Sequence, residues 1–156
     1  MSTDNWCTPK WLADLLGTWD LDPASNDATH VKSRVRCQLE PSTSDRVASN
    51  DGLAYDWSGR SVFCNPPYSD PLPWCRKLTA HDAPWCALLK LDPSTRWYAA
   101  LMEASPVVAP FRKRLKFEGS VAMTANFPSV LIYSAWRPST ELASHLWLAT
   151  YERKAS

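Results

Sequence analysis

The amino-acid sequence predicts an α/β fold, a mostly parallel sheet with helices on both faces. Two observations carry this. Short apolar, β-prone runs alternate along the chain with segments of helical periodicity, the pattern of a layered sheet. The strand candidates also end abruptly, at Asp22-Pro23, Asn65-Pro66-Pro67-Tyr68 and Asp92-Pro93. Such polar corners would stand side by side at the carboxyl edge of the sheet, where open α/β sheets bind ligands. The length of 156 residues fits a single domain over residues 1–156.

Taken in order, Thr8-Pro9 has the form of a helix start, a capping residue followed by proline at the first helical position. Trp11, Leu12, Leu15 and Leu16 then share one helical face, and Gly17 is a stop signal. Trp19–Asp22 is a short apolar segment broken by Pro23. Lys32, Arg34 and Arg36 alternate, so on a strand they would share one face. The polar stretch Pro41–Asp51 reads as a loop. Ser61–Cys64 is a compact strand candidate, and Leu72–Ala80 is compatible with a helix. Trp85–Leu91 is a second buried strand. Ser94–Ala104 has helical spacing, with Ser94 as cap and Trp97, Leu101 and Met102 inward. Val107-Val108 and Ser129–Ala135 read as strands, and Thr140–Thr150 closes in a helical pattern.

Composition narrows the function. Hydrophobic residues are 45% and charged residues 21%, ordinary globular values. No apolar run approaches the roughly 18 residues of a membrane span, and Met1–Pro9 lacks the apolar stretch of a signal peptide. A soluble, cytoplasmic protein is expected. With only four glycines, a phosphate-cradling loop or a dinucleotide fingerprint is disfavoured, because both need glycine where backbone meets phosphate. The 17 basic and 16 acidic residues give a net charge of +1, so a nucleic acid would have to be met by a local patch. Five cysteines without a C-x-x-C pair, and three scattered histidines, argue against metal and for reduced, buried thiols.

Asn65-Pro66-Pro67-Tyr68 is the sharpest chemical feature. Two prolines fix two backbone angles and remove two donors. What remains is a rigid pair of acceptors, the Asn65 side-chain oxygen and the Pro66 carbonyl, with the flat face of Tyr68 beside them. Such a corner suits a planar group bearing an exocyclic NH2. A simple strand-ending turn is the plainer alternative.

This motif, directly after a short apolar strand, resembles the catalytic element of S-adenosylmethionine-dependent amino methyltransferases. The wider pattern is similar to the phage and prophage DNA N6-adenine methyltransferases. In order it comprises Trp6-Cys7-Thr8-Pro9, Leu21–Ser25, Asp51-Gly52-Leu53 with Trp57, Asn65–Tyr68, Lys77, Leu88–Leu91 ahead of Trp97, Arg114–Phe117 and Phe127-Pro128-Ser129, from about residue 6 to residue 136. The resemblance implies a single-domain, Rossmann-like methyltransferase fold without a separate target-recognition domain, in the cytoplasm of a host cell if phage-encoded. Asn65 and Pro66 would accept hydrogen bonds from the adenine N6 amino group, with Pro67 stiffening the corner. Tyr68 would stack on a base flipped out of double-stranded DNA. Catalysis would be positioning plus oriented acceptors, with no general base before attack.

The resemblance further implies that Thr8, Pro9, Asp22, Ala24, Ser25 and Asp51 serve S-adenosyl-L-methionine. The family's glycine-rich loop is absent after Asp22, where Ala24 and Ser25 stand instead. Glu40 and Asp45 are both candidates for the ribose-binding acid. Without the resemblance, Thr8 is read as a helix cap, while Asp22 and Asp51 read equally as turn residues. For DNA, the cluster Arg112, Lys113, Arg114 and Lys116 between Phe111 and Phe117 is the leading contact, ahead of Lys32, Arg34 and Arg36. Trp74 is a candidate to stack on a base or wedge the duplex. Recognition would then be short, loose, or completed by a second copy in a homodimer. Two rival readings stand: the same chemistry on RNA adenine or a protein glutamine amide, and an inactive methyltransferase-like binding protein.

Overall fold

A computed structural model describes residues 7–118 and 123–148. In chain order the elements are α1 (Lys10–Leu16), β1 (Thr18–Asp22), β2 (Lys32–Cys37), β3 (Val47–Ser49), β4 (Val62–Cys64), α2 (Leu72–Thr79), β5 (Trp85–Lys90), α3 (Arg96–Met102), β6 (Val107–Pro110), β7 (Lys116–Phe117), β8 (Met123–Thr124), β9 (Ser129–Ser134) and α4 (Thr140–Ala143). Seven strands form one sheet in the order β3-β2-β1-β4-β5-β9-β6, while β7 and β8 make a separate ribbon. Every neighbouring pair from β3 to β5 is parallel, and β9 runs antiparallel to both β5 and β6. This is the expected Rossmann-like, mostly parallel arrangement.

Side-chain alternation builds two cores. Leu21, Val62, Cys64, Trp85, Ala87, Leu89, Val130 and Ile132 point to one face, against Cys75 and Leu78 of α2 and Leu101 of α3. Phe63, Cys86, Leu88, Leu131 and Tyr133 point to the other, against Leu12, Ala13 and Leu16 of α1 and Leu142 of α4, and Trp19 packs with this group, its ring 6.2 Å from that of Phe63. A strand covered on both faces needs a continuous apolar run, and β5 supplies one, buried from Trp85 to Leu89. Each fully buried leucine contributes about 1.5–3 kcal/mol, so these two layers fix the strand order on which the site depends. All five cysteines are buried and unpaired. Among the described residues, no helix is long and apolar enough to cross a membrane.

Four local expectations need correction. Thr8 is not the cap of α1: Pro9 occupies that position, its carbonyl accepting from the Ala13 amide at 2.9 Å, with no side-chain cap. The segment Pro41–Asp51 contains β3, held by Arg36 N–H to Arg46 O at 2.9 Å and Gln38 N–H to Ser49 O at 3.1 Å. Three small or half-exposed residues carry no period by which to detect such a strand. In α3 the cap is Thr95, which accepts from the Tyr98 amide at 3.4 Å, whereas Ser94 donates to Asp92 Oδ1 at 2.6 Å. The helix predicted over Thr140–Thr150 ends at Ala143, because the chain turns back to pair with β6 and its sequel. The Trp147 amide donates to Pro110 O at 2.7 Å and the Arg112 amide to His145 O at 3.0 Å. Residues 149–150 lie outside the described region. Gly17 does end α1, at a φ of +76° that suits glycine.

Candidate active site

The sheet reverses direction of winding between β1 and β4, so the loops leaving these two strands diverge and open a crevice at their carboxyl ends. A cleft of about 440 Å³ lies there. It is lined by Pro23–Asn26 after β1, Gln38–Glu40 after β2, Asn50–Leu53 after β3, Asn65 and Pro67 after β4, and Trp74 of α2. The structure therefore brings together Ala24, Ser25, Asp51, Asn65, Pro67 and Trp74, which lie far apart in the sequence. Glu40 lines the cleft, whereas Asp45 is exposed and does not. A second hollow of about 520 Å³, between α2 and α3, shares no lining residue with it.

Asp22 closes β1 and is only 3% exposed. Burial raises its carboxyl to about 7, against the opposing pull of the Ala24 amide, the Ser25 side chain and Arg36. Its Oδ1 accepts from the Ala24 amide at 3.3 Å, which folds the corner back on itself. Glycine is absent from this corner but present opposite it. A Cβ on Gly52 would stand 1.8 Å from the Pro23 carbonyl oxygen, so only glycine allows the two backbones this approach.

The Gly52 loop is tied down from below. Gly52 O accepts from Trp57 Nε1 at 2.8 Å. Lys77 Nζ donates to Leu53 O at 2.5 Å and Tyr55 O at 2.7 Å, and sits 4.8 Å from the Trp57 ring centroid. Trp74 stacks on Trp57 with centroids 6.5 Å apart, making it part of the cleft wall. Trp57 itself is core.

At the end of β4, Asn65 Nδ2 donates to Thr8 Oγ1 at 3.4 Å. With its nitrogen turned to Thr8, the amide directs its oxygen along its other arm. Thr8 is buried, and so is Pro66. The Tyr68 hydroxyl donates to Leu88 O at 3.4 Å, and burial pushes the phenol well above its ordinary range. The ring stands edge-on to Phe127, 5.8 Å away, and to Phe117, 6.5 Å away. These three rings form an aromatic wall, over which Lys90 Nζ lies 4.6 Å from the Phe127 centroid. Cys64 precedes Asn65, but burial holds its thiol well above the usual value, where it is inert as a nucleophile.

In the 111–117 segment, Phe111, Leu115 and Phe117 turn inward while Arg112, Lys113, Arg114 and Lys116 are exposed. Phe117 belongs to the aromatic wall, which places this basic face next to the Asn65–Tyr68 corner. Arg112 is already engaged: its Nε donates to Leu146 O at 3.0 Å, and its guanidinium lies 4.2 Å from the Trp147 centroid. On β2, Arg34 pairs with Asp20 at 3.4 Å and Arg36 with Asp27 at 2.9 Å. Among the described residues, no group of three His, Cys, Asp or Glu side chains is placed to hold a metal ion.

Four contributors were not among the site residues expected from the sequence. Gly52 escaped because its constraint comes from the Pro23 backbone, 29 positions earlier in the chain but adjacent in space, and not from the local pattern; the scarcity of glycine was the available signal. Leu39, 79% exposed on the cleft rim, is an apolar residue in a polar stretch. Gln38 and Asn50 close the floor, with Asn50 Nδ2 donating to Gln38 O at 3.0 Å and Gln38 Nε2 to Glu40 O at 3.1 Å.

A family model described as DNA N-6-adenine-methyltransferase (Dam) matches residues 1–141. The DNA N-6-adenine-methyltransferase of Haemophilus phage HP1 (strain HP1c1) is 28% identical over 124 residues, covering 73% of this chain. The matched part spans 66% of that relative's length.

Proposed function

Since the chain belongs to the DNA N-6-adenine-methyltransferase family, we propose that it methylates the N6 amino group of adenine in double-stranded DNA, with S-adenosylmethionine as donor. The observation that carries this reading is the rigid Asn65-Pro66-Pro67-Tyr68 corner at the mouth of the β1/β4 crevice, its amide oriented by Thr8.

The cleft's chemistry fits the cofactor. It offers Glu40 and Asp51, with buried Asp22 behind Ala24 and Ser25, among apolar Pro23, Leu39, Leu53 and Trp74. That set complements an ammonium, a ribose diol and a flat base. Glu40 would hold the ribose hydroxyls, Asp51 the adenine amino group, and the Asp22–Ser25 corner with Thr8 and Pro9 the methionine end. The bound cofactor supplies an electrophilic methyl group.

The protein's own part is positional. Asn65 Oδ1 and the Pro66 carbonyl each accept one N6 hydrogen, drawing the nitrogen towards tetrahedral geometry and aiming its lone pair. Tyr68 offers a face for the target base, taken out of the duplex stack. The exposed Lys113, Arg114 and Lys116 hold phosphates around it. The test is transfer of tritiated methyl groups to mixed-sequence duplex DNA, followed by nucleoside analysis. Label should appear in N6-methyladenine and vanish in Asn65→Ala. Label in cytosine, or transfer surviving that substitution, would overturn the mechanism.

A further inference from the structure

Several cations of the fold already have partners. Lys77 ends on two carbonyls, Arg34 and Arg36 on carboxylates, and Arg112 on Leu146 O. Lys90 differs. It stands at the carboxyl end of β5, half-buried, paired across the sheet with Ser129. Its ammonium lies 4.6 Å from the Phe127 centroid and 5.7 Å from that of Tyr68. Among the described residues it makes no ion pair or hydrogen bond through that ammonium.

Building on the proposed base-flipping reaction, we propose that Lys90 is a positioning residue that grips a phosphate flanking the flipped adenine. Ring faces hold an ammonium far more loosely than an oxyanion does. The rings that Lys90 covers are those of the wall onto which the target base would stack. A base arriving there displaces the ammonium and brings its own phosphates with it, the partner of matching charge. An ammonium acts on phosphate as a point charge without reading sequence, so Lys90 would govern affinity for the nucleotide and leave the choice of base to the Asn65 corner. Seated on a central strand rather than on a loop, it would hold the nucleotide in register with Asn65.

The test uses the full chain and a labelled oligodeoxyadenylate of about 12 nucleotides, whose bases need no flipping. Binding is followed by fluorescence anisotropy between about 50 and about 200 mM salt. Lys90→Gln should weaken binding about tenfold at the lowest salt and reduce the slope of log Kd against log salt by about 0.7. Lys90→Arg should keep the slope. An unchanged slope in Lys90→Gln, with its melting temperature intact, overturns the proposal. So does a slope lost equally in Lys90→Arg, which would mark a packing role. Wild-type methyl transfer is measured alongside: its absence defeats the reaction assigned above, while the salt slope still decides Lys90. A wild-type chain that binds no oligonucleotide overturns the proposal for Lys90, whatever the methyl-transfer result.

Discussion

Replacing Asp22 by asparagine is expected to remove a pH dependence that the buried carboxyl imposes on cofactor binding. The group sits at about 7 instead of its ordinary 3.8, chiefly through burial. About three pKa units correspond to roughly 4 kcal/mol between its protonation states. If the ionised form is the one that meets the cofactor's ammonium, affinity falls tenfold for each pH unit below about 7 and is roughly a hundredfold weaker at about pH 5. Binding below pH 7 should also release close to one proton. Isothermal titration with S-adenosylmethionine, in two buffers of different ionisation enthalpy, measures both quantities. Stability without cofactor should run the opposite way. Between about 4 and about 7 the folded chain keeps a proton that the unfolded chain has already lost, so stability declines as pH rises through this window and levels off above it. Asp20 is lowered by hydrogen bonds from Ser61, so its contribution is present above the ordinary carboxylate range and disappears only at more acid pH. The two effects therefore occupy separate windows. A cofactor affinity flat from pH 5 to 7 would refute the reasoning, as would an unchanged profile in Asp22→Asn.

Three further outcomes follow from contacts elsewhere in the site. Gly52→Ala places a methyl group against the Pro23 carbonyl and should cost about 1–3 kcal/mol by thermal denaturation, with cofactor affinity falling further than stability; a wild-type melting curve would contradict it. Thr8→Val removes the acceptor of Asn65 Nδ2 and should lower kcat about tenfold while leaving cofactor Kd nearly unchanged, because it loosens only the methyl-acceptor corner. An unaltered kcat would show that Thr8 does not orient Asn65. Ser129→Ala removes a fully buried hydroxyl that has no hydrogen-bond partner among the described residues, and should be neutral or stabilise by up to about 1 kcal/mol. A loss larger than this in denaturant titration would reveal a partner for that hydroxyl.

The elements that could be read from the sequence are those whose signal is local. Trp85–Lys90 announces a doubly covered strand through its own apolar run, and the prolines after Asn65 fix a corner whatever surrounds it. β3 is silent, since its pairing with β2 is made by backbone and its side chains bury little. The caps shifted by one residue because several neighbouring Ser, Thr and Pro residues can compete for one helix end, and side-chain partners such as Asp92 decide among them. The candidate site was half legible. Asn65–Tyr68 is a contiguous motif, but the contact between Thr8 and Asn65 spans 57 positions and exists only once α1 and β4 are assembled. Lys90 looks like an ordinary strand-end lysine until Phe127 and Tyr68 are placed beneath it.

The position of β9 has a consequence for how the protein is made. It enters the sheet between β5 and β6, although both precede it in the chain. During synthesis, therefore, β5 and β6 emerge before the strand that joins them, and each leaves backbone donors and acceptors unpaired. Apolar β5 would then be an open edge, the kind that recruits other chains. Closing the sheet demands contacts remote in sequence, which form slowly compared with helices. The nascent chain thus carries its greatest aggregation hazard just before residues 129–134 are available, and insertion of β9 is the step that retires it.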